Sequence, residues 1–272
     1  MKKYLALALA ALLLVCSFAS CASGADGSIG EYAPEADYLI TEDGTFYFEA
    51  AEGETAILVN YVGKATSGDH VVVPSTFNDR TVTKIGDRAF YNLSAIVEVT
   101  IPDTILDIGN YAFARCSELT EINLPDSVLT IGEGAFIECV ALTKVDLGDN
   151  MMEIGDKAFD GCVALTDIAL PEALESIGNG AFSFCKSLPS LTIPAYVKTI
   201  GELAYTDCVG IETIIFMSDN TVIGFGAFEH ADGTNLKDKF VLDGLEEESP
   251  VLTYINSLSD SPETEPVAET EE

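Results

Sequence analysis

The motif Ile-Gly-x-x-Ala-Phe starts at Ile85 and returns at Ile108, Ile131, Ile154, Ile177, Ile200 and Ile223, each 23 residues after the last. The aromatic place holds Phe90, Phe113, Phe136, Phe159, Phe182, Tyr205 and Phe228, and the small place holds Ala throughout, from Ala89 to Ala227. No insertion or deletion interrupts the series. Such a period marks one structural unit repeated and stacked, because a unit this small cannot bury its apolar face alone. A slip of one residue would turn every inward side chain to the wrong face.

Each unit also carries a short alternating run, as in Leu119–Pro125 (LTEINLP), Leu142–Gly148 (LTKVDLG) and Leu165–Pro171 (LTDIALP). In the first of these, Leu119, Ile122 and Leu124 can face inward while Thr120, Glu121 and Asn123 face out, which predicts a short strand. Pro102, Pro125, Pro171 and Pro194 follow such runs. Proline brings no N–H to a ladder, so it ends the strand. The glycine after each Ile is read as allowing a tight turn without a clashing Cβ. Parallel strands stacked about 4.8 Å apart then align Leu, Ile, Phe and Ala in columns. Each large apolar side chain buried contributes about 1.5–3 kcal/mol, so stacking is the dominant favourable term.

The stretch LPDSVLTIGEGAFIECVALTKVDLGDN resembles the BspA-type leucine-rich repeat of bacterial and some protist surface proteins, over about Val71 to Phe228. The resemblance implies a repeat solenoid: leucine-rich-repeat-like, with short parallel strands on 23-residue coils, β-rich with little helix. It also implies adhesion, including contact with host matrix proteins. Departures fall at the ends of the array. Leu93 and Ala231 stand where cysteine is expected, and Asn220 stands where Ile105, Val128, Leu174 and Val197 point inward.

Cysteines recur at Cys116, Cys139, Cys162, Cys185 and Cys208, again 23 apart. Stacked coils would place neighbouring Cα atoms about 5 Å apart, a spacing disulfides tolerate. Five cannot pair off, however, and side chains in register point in parallel. The expected arrangement is a column of reduced, buried thiols acting as small hydrophobes. A straight row of thiolates cannot surround a metal ion tetrahedrally.

Six segments are expected. Residues 1–20 form a signal peptide: Lys2 and Lys3, then an apolar run from Tyr4 to Ala19 that is short for a membrane span. FASC, ending at Cys21, resembles a bacterial lipobox, which implies cleavage before Cys21 and a lipid on its sulfur. Cys16 is the poorer candidate because bulky Val15 precedes it. The alternative is ordinary cleavage and a secreted product. Residues 21–37 are then a flexible tether, and residues 38–73 an N-terminal β cap with a hairpin around AEGET and HVVVP as an incomplete first strand. Residues 74–233 form the solenoid, entered by a longer loop, STFNDRTVTKIG. Residues 234–258 form a C-terminal cap, with KFVLDG adding a strand and SPVLTYINSLS a short helix. Residues 259–272 are a disordered acidic tail.

The balance of 13 Lys and Arg against 45 Asp and Glu, net −32, repels phosphate. Nucleic acid is therefore excluded as a partner, and membrane contact is expected only through a lipid anchor. His70 lies before the repeats and His230 after them, roughly 30 Å apart at the strand spacing, so they cannot share a catalytic site. No phosphate-binding loop, dinucleotide fingerprint or HExxH motif occurs. GDNMME near Asp149 lacks the ligand spacing of a calcium loop. No enzyme, cofactor or metal is expected.

What remains is the outward grid on the strands: Glu98, Thr100; Thr120, Glu121, Asn123; Thr143, Lys144, Asp146; Thr166, Asp167; Ser190, Thr192; Glu212 and Thr213, with Val97, Ala169 and Ile215 among them. Solenoids bind partners on such extended faces, although threonine also suits exposed strand positions for its own sake. The expectation is a monomeric surface module that binds a protein or glycan through this grid. A structural or spacer protein of the envelope is the alternative.

Overall fold

The computed structural model describes residues 38–63, 68–241, 245–246 and 248–258. The expected signal peptide, the lipid attachment site Cys21, the tether and the acidic tail lie outside the described residues.

The described residues open with strands β1 (Leu39–Ile40), β2 (Phe46–Ala50) and β3 (Thr55–Tyr61). Next come β4 (Asp69–Val72), β5 (Thr76–Phe77), β6 (Arg80–Ile85) and β7 (Ile96–Thr100). The coils then alternate a two-residue strand ending at the Ile of Ile-Gly with a strand from the Leu-x-x-Ile run. These are β8 (Asp107–Ile108), β9 (Glu121–Asn123), β10 (Thr130–Ile131), β11 (Lys144–Asp146), β12 (Glu153–Ile154) and β13 (Asp167–Ile168). The series closes with β14 (Ser176–Ile177), β15 (Ser190–Ile193), β16 (Thr199–Ile200), β17 (Thr213–Phe216) and β18 (Val222–Ile223).

Each coil therefore feeds two sheets, where the sequence had suggested one strand per unit. The first sheet runs β1-β2-β3-β6-β8-β10-β12-β14-β16-β18, with β5 added beside β6. Its register is Ile108 on Ile131 on Ile154 on Ile177. The second runs β13-β11-β9-β7-β4, and β15-β17 stand apart from it. Two-residue strands escape a reading based on alternation, since two positions hold no period to detect.

Between the sheets lies one continuous core. Phe90, Phe113, Phe136, Phe159, Phe182, Tyr205 and Phe228 are buried in single file, with successive centroids 4.9, 5.1, 5.2, 5.2, 5.1 and 5.3 Å apart. The ring planes stay within 9° of parallel. Ala112, Ala135, Ala158, Ala181 and Ala204 are fully buried in the neighbouring column.

The Ile-Gly glycines do open turns, as where Gly109 O accepts from Ala112 N at 3.4 Å, but left-handed backbone is not the reason for glycine there. None takes a positive φ. A Cβ on Gly109 would instead lie 2.7 Å from Asp87 N and Gly86 C, and one on Gly178 2.5 Å from Asp156 N. Each backbone passes directly against the previous coil, and glycine is what permits that approach.

The five cysteines are free and buried. Each thiol donates to the carbonyl of the stacked Phe one coil back: Cys116 to Phe90 at 3.1 Å, Cys139 to Phe113 at 3.1 Å, Cys162 to Phe136 at 3.2 Å, Cys185 to Phe159 at 3.3 Å and Cys208 to Phe182 at 3.0 Å. The slot thus demands a weak donor as well as a small apolar volume.

At the N-terminal end, β3 pairs in parallel with β6, so the hairpin extends the first sheet directly. The expected entry loop is itself a hairpin: β5 and β6 pair across Asn78 and Asp79, at φ 49° and 60°. Two consecutive left-handed residues make a type I′ turn, which suits the twist of a hairpin. At the other end, the described part of KFVLDG bridges Phe240 to Ile214, after a 3₁₀ turn at Lys237–Lys239. Helix α1 (Pro250–Ser257) follows; the Ser249 side chain accepts from Leu252 N at 3.1 Å and Pro250 opens the first turn. Val251 and Ile255 are buried beneath it. The inward place forfeited by Asn220 passes to Thr221, fully buried with its hydroxyl on Val197 O at 2.8 Å.

Candidate functional site

The period-two alternation of the Leu-x-x-Ile runs sends Val99, Ile122 and Val145 into the core and leaves their neighbours outside. All the grid residues named from sequence are exposed except Val97 and Thr213, which are half-buried. The register places Glu98 beside Glu121 beside Lys144, and Thr100 beside Asn123 beside Asp146. These six, with Pro125, line a shallow hollow of about 450 Å³.

The charges inside the hollow do not cancel. Glu98 and Glu121 are directly opposed on paired strands, an arrangement that destabilises a sheet. Lys144 is next in register, yet its Nζ lies 3.9 Å from Asp167, on the far side from Glu121. Among the described residues no cation stands within ion-pair distance of Glu121. His70, which the repeat period does not place on the grid, also belongs to this face. It sits on β4 opposite Glu98, with Nε2 2.7 Å from Thr100 Oγ1 and 3.8 Å from Glu98 Oε1. The signal was there: aligning Pro74 with Pro102 makes Val71 and Val73 inward and His70 outward.

Thr120, Thr143 and Thr166 occupy the margin of the sheet, each with its hydroxyl on the carbonyl one coil back, Val97, Thr120 and Thr143, at 3.3, 3.1 and 3.3 Å. Ser190, Thr192, Glu212 and Thr213 lie with β15 and β17, beyond a break in the sheet, and do not join the hollow. A second hollow of about 470 Å³ lies over the first sheet, lined by Glu133, Glu153, Asp156, Ser176, Asn179 and Thr199 among others. Part of it is structural, since Asp156 Oδ1 accepts from Asn179 N at 2.7 Å and Asn179 Oδ1 from Glu202 N at 2.8 Å. Around Asp149 the chain makes a turn, with Asp149 N on Asp126 Oδ1 at 2.8 Å.

Burial raises every column thiol, Cys116 and Cys208 to about 12, so the sulfurs stay protonated and are poor nucleophiles. His230 Nδ1 lies 3.8 Å from Asp207 Oδ1 at the opposite end of the array from His70.

The pattern of the BspA type leucine rich repeat region matches residues 71–147 and 106–237, in six copies, which is more than half of the chain. The chain belongs to the BspA-type leucine-rich repeat family. Among solved structures, a T. pallidum leucine rich repeat protein is 30% identical, over 71% of this chain and 85% of its own, with a TM-score of 0.61. A leucine rich cell surface protein of Faecalibacterium prausnitzii is also 30% identical, with a TM-score of 0.56. That match covers 66% of this chain and 55% of the other, so the present chain spans about half of that relative. A leucine-rich repeat protein of Bacteroides ovatus is 26% identical over 72% of this chain and 57% of its own, with a TM-score of 0.50. No curated protein matches. The BspA-type solenoid is typically a non-catalytic scaffold. Among the described residues no helix is long and apolar enough to cross a membrane.

Proposed function

We propose that this BspA-type chain is a non-enzymatic recognition and adhesion module of the bacterial cell surface, binding a protein or glycan through the face of β4, β7, β9, β11 and β13. It acts as a monomer, held to the membrane by lipid on Cys21, or secreted where that cysteine is not acylated. The observation that carries the reading is the uncompensated carboxylate of Glu121, beside Glu98 on the paired strand and open to the hollow. Opposed like charges cost stability in the free protein. A partner that brings a Lys or Arg side chain to them recovers that cost, and complementary charge also steers the encounter. The cell-surface description of the Faecalibacterium relative supports the location.

The threonine margin favours the second reading, a structural spacer of the envelope, because those hydroxyls are already engaged in holding coils together. Binding arrays of matrix proteins and glycans, probed with the 22–272 chain, separate the two. Saturable binding that weakens at least tenfold in Glu121→Lys and tightens in Lys144→Glu supports recognition. Absence of binding across the panel, or binding indifferent to both changes, supports the spacer.

A further inference from the structure

Along the second sheet each coil hands backbone N–H groups to the one before. Thr120 N donates to Val97 O at 3.2 Å, Thr143 N to Thr120 O at 2.8 Å and Thr166 N to Thr143 O at 3.0 Å. The next residue in that column is Pro189, which has no N–H to give to Thr166 O. There the sheet stops: β13 has no strand partner toward β15, and β15 pairs only with β17. The core beneath opens as well. Ile168 and Leu170 are partly exposed, whereas their column mates Ile122, Val145, Leu124 and Leu147 are 1–3% exposed.

The same two coils remain closed everywhere else. β12 and β14 pair with Ile154 on Ile177, Phe159 and Phe182 stack at 5.2 Å, Cys185 Sγ reaches Phe159 O at 3.3 Å, and Phe159 N donates to Ala181 O at 2.7 Å. One boundary in the stack is thus joined along its first sheet and corner and unjoined along its second.

We propose that this boundary is a hinge. The two coils pivot on the β12–β14 pairing, and the recognition face divides into a five-strand platform carrying the hollow and a two-strand platform, β15 and β17, that swings against it. A partner lying across both platforms is gripped by closure; this use of the hinge rests on the recognition reading, while the hinge itself does not. Loss of ladder bonds along one side gives the local opening its low cost, and proline at a position that elsewhere donates N–H groups is the cause.

Nitroxide pairs read the motion directly in the absence of any partner, so the hinge can fail while binding stands, and the reverse. On the full chain with Cys16→Ser and Cys21→Ser, the column thiols are buried and labels go to introduced cysteines. Glu121→Cys with Glu212→Cys spans the break on the second sheet; Thr130→Cys with Thr199→Cys spans the same boundary on the first. The expected result is a distance distribution at least twofold broader for the first pair, narrowing to the width of the second when Pro189→Thr restores the donor. Equal widths for the two pairs in the otherwise native chain would overturn the hinge even if Pro189→Thr fails to fold. A first-pair width unchanged by a folded Pro189→Thr would overturn it too.

Discussion

The hydroxyl of Tyr254 accepts the backbone N–H of Phe228 at 3.2 Å. In every preceding coil the equivalent N–H goes to an alanine carbonyl one coil further on, Phe90 to Ala112, Phe113 to Ala135, and so to Tyr205 on Ala227. Tyr254 therefore takes the place that the alanine carbonyl of a following coil fills elsewhere. Its ring also meets Phe228 edge to face at 6.0 Å, closing the aromatic file.

Removing that oxygen leaves a buried donor without a partner, which costs about 1–3 kcal/mol. Tyr254→Phe should lower stability by that amount while keeping the ring contact. Urea unfolding checks it; a midpoint unchanged from the parent protein would mean that water satisfies Phe228 equally well.

The aromatic file makes opposite predictions at two positions. Phe136→Ala, in a central coil, should cost about 3–5 kcal/mol. Tyr205 sits in the same file fully buried, and its hydroxyl has no hydrogen-bond partner. An unsatisfied buried hydroxyl is a liability of about 1–3 kcal/mol, so Tyr205→Phe should leave stability unchanged or raise it. Thermal denaturation of the two variants side by side separates them, and a Tyr205→Phe protein that melts well below the parent would contradict the assignment.

Alkaline pH should unfold the protein progressively. The column thiols are raised by burial from an ordinary value of 9, to about 12 at Cys116 and Cys208, and Tyr254 is raised by burial from 10 to about 12. Below pH 9 the thiols are protonated whether the chain is folded or not, and the stability is fully present. Above pH 9 the unfolded chain releases protons that the fold retains, so stability falls, up to about pH 12 for Cys116 and Cys208, by about 1.4 kcal/mol per pH unit for each thiol. Cys162→Ala should show a shallower decline than the parent between pH 9 and 11. Denaturant midpoints across that range test it, and parallel slopes would refute it.

Gly132→Ala should be disruptive although its φ is not in the left-handed region. The new methyl would lie 2.8 Å from Asn110 N and Gly109 C, both backbone atoms of the adjacent coil, and forcing coils apart in a packed stack costs about 1–3 kcal/mol or more. Gly53 lies in a hairpin loop at φ +68°, with nothing within 4 Å of an added Cβ. Gly53→Ala should cost only the strain of a non-glycine left-handed residue, about 1–2 kcal/mol. Calorimetry on the pair distinguishes crowding from backbone strain; a harmless Gly132→Ala would show that the coils can yield.

The 23-residue step was enough to determine the solenoid, the column of rings, the buried sulfurs and which strand residues face water. Register is a one-dimensional property: when equivalent residues recur without a gap, stacking has a single consistent solution, and sequence order becomes spatial order along the axis. Only the tertiary structure decided the features that depend on distance across coils. The Ile-Gly glycines open turns but are needed for the close approach of the preceding coil's backbone, the thiols bond to ring-bearing residues 26 positions back, and Tyr254 completes a ladder from outside the repeat. Likewise, His70 joins Glu98 and Thr100 through a strand whose spacing breaks the period, and Lys144 leans to Asp167 rather than to Glu121. None of these follows from periodicity, because a repeat specifies where side chains line up and leaves open how closely the backbones pass and which way each charge turns.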